Sequence, residues 1–417
     1  MTSDLFTVTL EKLTYGGEAM GRLPDGRAVF VPFALPGEQV CVRLVEEKRG
    51  HARAELMEVR VPSPERIAPR CKHFGACGGC HYQHMPYAVQ LRAKESILCD
   101  QLQRIGCIES PPLRPIVPSP QEWHYRNHVQ FHLSDEGKLG FVAAGNVATV
   151  IPISECHLPE APLNDLWPQL AFDPGLNLDR VSLRLGVEGE MMLVLESPSP
   201  EPPELEIEAD ASVVHLYGED AVVLAGEDSL AIAVKACQGL PSREFRVSAA
   251  SFFQVNTPMA AEMANCLLTI LPVSPITILL DVYCGVGLFG AFFAPRVGRV
   301  IGIESSSSAC GDFVVNLDEF DNVELYEAPA EDVLPALDVR PDIVIVDPPR
   351  AGLDRRVVDG ILALSPKTLA YVSCDPSTLA RDAARLIAGG YRLVQVTPFD
   401  LFPQTYHIES VSLFEKV

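Results

Sequence analysis

Three cysteines lie close enough together to act as one group. Cys71, Cys77 and Cys80 are spaced by five and two residues, with Gly75, Gly78 and Gly79 among them. Glycines let a loop fold tightly around an inorganic centre. A tetrahedral donor set needs a fourth ligand, and Cys156 in Ile153-Ser154-Glu155-Cys156 is the candidate. It follows a predicted hairpin that could return it to the loop. All-thiolate ligation suits zinc or an iron–sulfur cluster. The spacing matches neither a pair of zinc-ribbon motifs nor the run of a small ferredoxin, so it leaves both open. Cys41, Cys99, Cys107, Cys237, Cys266 and Cys310 are scattered, and core packing is expected for them.

A second group, Asp281-Val-Tyr283-Cys-Gly285-Val-Gly287-Leu-Phe-Gly290, follows a predicted strand and opens a helix. Its glycines allow a nucleotide-type ligand to approach the backbone. The glycine pattern alone fits a nicotinamide dehydrogenase as well as an S-adenosylmethionine (SAM) enzyme. Glu304, ending the next strand, suits a ribose hydroxyl in either. Two features favour SAM: Asp281, placed to meet an ammonium group, and Asp347-Pro348-Pro349-Arg350 at the carboxyl end of another strand. Cys284 is expected to be a packing residue.

A third group, Tyr371-Val-Ser373-Cys374-Asp375-Pro376, puts a thiol between a strand and a helix. Asp375 reads as the N-cap and Pro376 as the first helical residue. Leu379, Leu386 and Ile387 make the buried stripe, and Gly389-Gly390 ends the helix. The helix dipole lowers the pKa of a nearby thiol, while the Asp375 charge opposes that effect. Glu409, just before the last strand, is the available base; a lone Glu there is ordinarily solvated.

These groups need elements to hold them. Residues 5–60 read as about five short strands, with Val29, Val31, Val40, Val42 and Leu44 alternating and turns at Gly16, Gly26 and Gly37, which suggests an OB-like barrel. Val61 to Pro69 reads as a linker. Pro86 to Gly106 reads as a helix with Val89, Leu91, Ile97, Leu98, Leu102 and Ile105 on its apolar side. Residues 126–156 and 180–236 read as antiparallel hairpins, and 197–210 as a proline-rich loop. From about residue 245 strands and helices alternate: Thr277–Val282, Arg299–Glu304, Asp342–Val346 and Leu369–Ser373 are the strands, and a last one near Ser410–Phe414 should pair antiparallel. The expectation is a multi-domain α/β chain: a barrel over 1–60, a central α+β domain with the cysteine loop over 61–240, and a Rossmann-like domain over 241–417.

Charge is unevenly spread. The chain carries 33 Lys and Arg against 55 Asp and Glu, a net −22. The first 140 residues are nearly balanced and the remainder holds the acidity, so a bound RNA would meet its phosphate contacts largely in the N-terminal third. Acidic surface that merely keeps the chain soluble is the alternative. Hydrophobic residues are 47 % and charged residues 21 %, ordinary for a globular protein. No apolar run reaches the roughly 18 residues of a membrane helix. Met1–Leu10 carries Asp4 and no basic region, so no signal peptide is expected. A cytoplasmic protein without membrane contact is expected, and its cysteines should not be disulfides.

Taken together, the motifs resemble the SAM-dependent RNA 5-methyluridine methyltransferases, and within them the RlmD (RumA) type of 23S rRNA methyltransferase. The resemblance spans nearly the whole chain. It rests on Cys71/Cys77/Cys80/Cys156, Ser251-Phe-Phe-Gln254-Val-Asn256, Tyr283 to Gly287, Asp347 to Arg350, Ser373 to Pro376 and Phe402 to Glu409. It implies that the barrel is an RNA-binding TRAM domain and that the four cysteines hold a [4Fe-4S] cluster. It also implies that Gln254, Tyr283, Glu304 and Asp347 bind SAM, that Cys374 is the nucleophile and that Glu409 is the general base. The product would be 5-methyluridine, made in rRNA processing by a monomer. The cysteine loop with the TRAM domain leans toward rRNA, because tRNA-specific relatives usually lack both. Many relatives have Asn in place of Asp375 and a polar residue in place of Leu288. The competing readings are the same chemistry on tRNA or another rRNA uridine, a dehydrogenase, and a non-enzymatic RNA-folding factor.

Overall fold

The computed structural model describes residues 5–203, 210–218, 220–235 and 241–417. Cys237 and part of the 197–210 loop lie outside the described residues.

Five strands close the first barrel: β1 (Leu5–Leu13), β2 (Glu18–Arg22), β3 (Ala28–Pro32), β4 (Gln39–Glu47) and β5 (His51–Val61), in the order β1-β2-β3-β5-β4. Closure removes exposed edges. Alternate residues point inward, and Val8, Leu10, Val29, Val31, Val40 and Val42 form its core. The long helix α1 (Tyr87–Arg104) follows, with Pro86 at its N-cap. Its buried side differs from the expected apolar stripe. Ile105 is exposed, and Gln90 and Lys94 are buried with Ile97, Leu98 and Leu102.

The middle of the chain builds one seven-stranded sheet. It contains β6 (His128–Leu133), β7 (Leu139–Ala143), β8 (Asn146–Pro152), β9 (Arg180–Leu185), β10 (Met191–Glu196), β11 (Ser212–Tyr217) and β12 (Asp220–Ala225). Their order is β12-β11-β10-β9-β6-β7-β8. The short helix α2 (Ala161–Leu166) covers one face through Leu163 and Leu166. The expectation of hairpins throughout is corrected here: β10 and β11 run parallel. The connection over 197–211 is long enough to carry the chain back to the starting end, which a two-residue turn is not. A separate pair, β13 (Ser229–Val234) and β14 (Arg243–Ser248), leads into the last domain.

That domain begins with α3 (Thr257–Ile270), capped by Asn256, whose side chain accepts from the Met259 amide. Strand–helix alternation then runs through β15 (Ile278–Val282), α4 (Leu288–Phe293), β16 (Arg299–Glu304), α5 (Ser307–Asn316), β17 (Val323–Glu327), α6 (Ala330–Val333), β18 (Ile343–Val346), α7 (Arg355–Leu364), β19 (Thr368–Ser373), α8 (Pro376–Ala388), β20 (Tyr391–Phe399) and β21 (Glu409–Lys416). The sheet order is β17-β16-β15-β18-β19-β21-β20; β15 to β19 are parallel, and β21 is antiparallel to both neighbours. Every residue of β18 and β19 is buried, as a parallel sheet covered on both faces requires. The sequence reading did not separate β17 or β20. On α8, Leu379 and Leu386 are buried while Ile387 is exposed. No helix among the described residues is long and apolar enough to cross a membrane.

Candidate active site

The carboxyl ends of the parallel strands gather one set of polar side chains. Asp281 lies in β15 with no exposed surface, and neither carboxylate oxygen has a hydrogen-bond partner. Burial, with the Asp347 charge second, pushes its pKa up to about 8. Beyond the strand, Tyr283 takes φ +65°, an uncommon backbone state for a side chain of its size. Its amide and that of Cys284 both donate to the Ile303 carbonyl, at 2.8 and 3.1 Å. Gly287 caps α4 at φ +91°, and a Cβ there would stand 2.3 Å from Leu317 Cδ1, so only glycine fits. Glu304 is drawn into this turn: Oε2 accepts from the Gly285 amide at 2.9 Å, and Oε1 from the Ser305 and Ser306 amides at 2.7 and 2.8 Å. Ser251 Oγ lies 2.8 Å from Ser308 Oγ at the start of α5. That contact brings the Ser251-to-Asn256 segment, with the buried Gln254, alongside the Glu304 edge. Cys284 is buried in the core as expected.

Asp347 follows β18 and keeps part of its surface open. Its amide donates to the Val282 carbonyl at 3.2 Å, and the surrounding protein pushes its carboxyl pKa up to about 7. Cys374 follows β19. The pairing of Ser373 with Ser410 puts it one step from Glu409, the first residue of β21. Glu409 is buried, contrary to the solvated state expected of a lone Glu before a strand. Burial, then the Asp347 charge, hold its carboxyl well above the usual range, while Arg350 and Lys94 act in the other direction. The thiol differs from a simple dipole expectation. Burial, then the Glu409 and Asp347 carboxylates, raise its pKa to about 12; Arg350 lowers it and Asp375 raises it. Asp375 spends its side chain on the cap of α8, accepting from the Ser377 and Thr378 amides.

The segment between β20 and β21 shapes the other wall. Arg350 Nη2 lies 3.3 Å from His407 Nε2, and burial keeps that imidazole neutral, with its pKa down to about 2. From α1, Lys94 Nζ donates to Asp400 at 2.6 Å, with both side chains fully buried, and to the Phe402 carbonyl at 3.0 Å. Gln90, one turn earlier, accepts from the Gln404 amide and donates to its Oε1, both at 2.9 Å. Tyr125 donates its hydroxyl to the Pro403 carbonyl at 3.1 Å. Sequence reasoning missed Gln90, Lys94 and Asp400. The available signal was Gln90 and Lys94 spaced four apart on the same stripe as Ile97 and Leu98.

The same architecture recurs in known proteins. Residues 240–417 match the tRNA (uracil-5-)-methyltransferase family model, and residues 4–57 match the TRAM domain. An RNA methyltransferase of Thermosynechococcus vestitus is 34 % identical over 97 % of this chain and 96 % of its own length. Another, from Aquifex aeolicus, is 34 % identical over 98 % of both. The chain belongs to the RNA uracil-5-methyltransferase family. This methyltransferase is SAM-dependent, with a TRAM barrel ahead of its catalytic fold. The solved tRNA (uracil-54, C5)-methyltransferase of Pyrococcus abyssi, in complex with S-adenosyl-L-homocysteine, is 25 % identical and superposes with a TM-score of 0.73. That likeness covers 98 % of this chain and all of that one.

In the methyltransferase, Cys71, Cys77, Cys80 and Cys156 all line one cavity of about 240 Å³. Lys72 donates its amide to Glu155 at 2.8 Å, which draws Cys71 toward Cys156. Gly78 donates its amide to the Val142 carbonyl on β7, and a Cβ would come within 2.9 Å of that oxygen. Burial raises the thiol pKa of Cys80 to about 12 and of Cys156 to about 11. The Arg126 guanidinium lines the cavity and stacks on Phe402, 5.6 Å from the ring centre. The four thiols ring the space rather than converge on a point: among the described residues no three His, Cys, Asp or Glu side chains are grouped to hold a single ion. The loop also touches the active-site wall, because the His81 and Tyr82 amides both donate to the Gln404 carbonyl, at 2.8 and 3.0 Å. Of the scattered cysteines, Cys41 and Cys310 are buried and Cys99 and Cys266 partly so; Cys107 is exposed, which corrects its expected place in the core.

Proposed function

We propose that this methyltransferase methylates carbon 5 of a uridine in 23S rRNA through a covalent adduct with Cys374. The observation that carries the reading is the placement of a thiol and a buried carboxyl on adjacent strand ends, with Asp347 and Arg350 facing them. When bound, SAM supplies an electrophilic methyl on a positively charged sulfur. Asp281 is suited to its ammonium group, since a fully buried carboxylate without a partner gains most from a cation. Glu304, pinned by three amides, keeps lone pairs free for ribose hydroxyls, and Gln254 and Tyr283 are assigned to the same ligand.

Carbon 5 of uracil is a poor nucleophile. The Cys374 thiol first gives up its proton to solvent; the thiolate then forms a bond to carbon 6 and pushes an electron pair toward carbon 5, giving an enolate. Carbon 5 gains the methyl, and the methyl–sulfur bond of the donor breaks. Glu409 then takes the proton from carbon 5, the carbon 6–sulfur bond breaks, and the thiolate is restored. The uracil must leave its stack to reach this edge.

The four cysteines are assigned to a [4Fe-4S] cluster on the strength of their common cavity and of Arg126, a half-buried cation lining it and suited to offset thiolate charge. Anaerobically purified protein should contain iron and acid-labile sulfide; zinc without iron would refute the assignment.

The tRNA reading has its own support: the Pyrococcus abyssi likeness covers the barrel as well as the catalytic fold, so domain layout does not separate the two substrates. Transfer of labelled methyl into unmodified rRNA and tRNA, assayed separately and followed by nucleoside analysis, tests the choice. Label as 5-methyluridine in rRNA alone supports the reading; label in tRNA alone keeps the chemistry and overturns the substrate.

A further inference from the structure

The barrel reaches the reacting edge through one turn. Tyr15, between β1 and β2, donates its hydroxyl to Asp375 Oδ2 at 2.9 Å, across 360 residues of sequence. Asp375 stands next to Cys374, and its other oxygen is already committed to the α8 cap, accepting from the Ser377 and Thr378 amides at 2.8 and 3.0 Å. The same tyrosine ring meets Tyr406 edge-on at 5.5 Å, and Tyr406 lies 4.4 Å from the His407 ring. Leu13 and Tyr15 pack against the core of the catalytic domain. Gly17, at φ +88°, closes the turn against His81, where a Cβ would stand 3.1 Å from the imidazole Cβ. A single barrel turn therefore touches the loop carrying Cys374 and the loop leading to Glu409.

We propose that Tyr15 is a positioning residue for methyl transfer: by donating to Asp375 it draws that carboxylate's charge away from the Cys374 sulfur and fixes the barrel against both reacting loops. The inference rests on Cys374 being the nucleophile. A hydrogen bond to a carboxylate localises its charge toward the donor and weakens its field at other groups. Cys374 is faced by Glu409, Asp347, Asp375 and Arg350. Of these, Asp375 is the one whose charge a barrel residue offsets. Burial and Asp375 both hold the Tyr15 phenol protonated, so it remains a donor across the working pH range.

The test compares wild type, Tyr15→Phe, Asp375→Asn and the double variant. Phenylalanine keeps the ring and its packing on Tyr406, and SAM binding with the melting temperature reports whether the fold is intact. Alkylation of Cys374 by iodoacetamide is followed from neutral to alkaline pH, beside kcat and the KM for SAM. Tyr15→Phe should slow alkylation about tenfold at a given pH, the effect of roughly one pKa unit, and lower kcat with the KM for SAM unchanged. In the Asp375→Asn background, with no charge left to offset, Tyr15→Phe should add nothing. Identical alkylation profiles for wild type and Tyr15→Phe would overturn the inference, as would an equal effect in the Asp375→Asn background. If alkylated wild-type protein still transfers methyl groups, the nucleophile assignment falls and takes this inference with it.

Discussion

Cys374 and Glu409 leave neighbouring antiparallel strands at the same rung. Ser373 pairs with Ser410, so the thiol and the carboxyl each stand one residue beyond that pair. Backbone pairing on both sides of β21 fixes Glu409, which also pairs with Phe399. In the proposed mechanism the two groups act in succession on adjacent carbons of one ring, which needs this constancy of spacing.

Asp281 should trade stability for binding. Its folded pKa, about 8, lies above the ordinary carboxylate value of about 3.9. The folded state thus keeps a proton that the unfolded state releases, so its contribution to stability is full below pH ~4 and is lost as pH rises through about 8. Asp281→Asn removes that loss. The expected outcome at neutral pH is a ligand-free protein more stable by roughly 1–3 kcal/mol, with SAM affinity weakened at least tenfold. Thermal melts and calorimetric titration check both; a destabilised variant with unchanged affinity would contradict the role.

SAM binding should release protons. Asp281 and Asp347 have pKa values pushed up to about 8 and about 7, and Glu409 is held well above its usual range. An incoming ammonium and sulfonium favour the charged carboxylates, so protons leave near neutral pH. Titration in buffers of different ionisation enthalpy should show this. S-adenosylhomocysteine, with a neutral sulfur, should release fewer protons. Equal release by the two ligands would place the linkage away from the sulfur.

Lys94 should matter to the fold and to the base. Removing one member of a fully buried ion pair costs about 3–5 kcal/mol, so Lys94→Met should lower stability by that order, measured by denaturant unfolding. The double change Lys94→Met with Asp400→Leu should recover much of the loss, because no charge is then left unpaired. Since Lys94 lowers the Glu409 pKa, the double variant should also shift the pH dependence of kcat upward. An unshifted profile would confine Lys94 to a structural role.

The groups proposed to carry chemistry were legible because each sits at a topological position with a local signature. Cys374, Asp347 and Glu304 follow aliphatic strand runs, Gly287 opens a helix, and Asp375 with Pro376 marks the start of α8. The cysteine spacing likewise marked residues that come to line one cavity. What escaped depends on distant partners. Lys94 reads as an ordinary helix residue until Asp400, 306 residues later, is folded against it. The Tyr15–Asp375 contact has no local pattern. The raised pKa of Cys374 follows from burial first and then from carboxylates gathered by three different strand ends, neither of which α8 alone reveals. The parallel pairing of β10 with β11 also depends on sheet assembly rather than on alternation, which looks alike in either direction.

The covalent route is tested most directly by the Glu409→Gln variant, incubated with SAM and a 23S rRNA substrate, then denatured and run on a gel beside Cys374→Ala. The expected result is a protein–RNA adduct resistant to denaturation in Glu409→Gln, absent when Cys374 is also replaced, and no methyl transfer by Cys374→Ala. Full methyl transfer by Cys374→Ala would contradict the covalent mechanism.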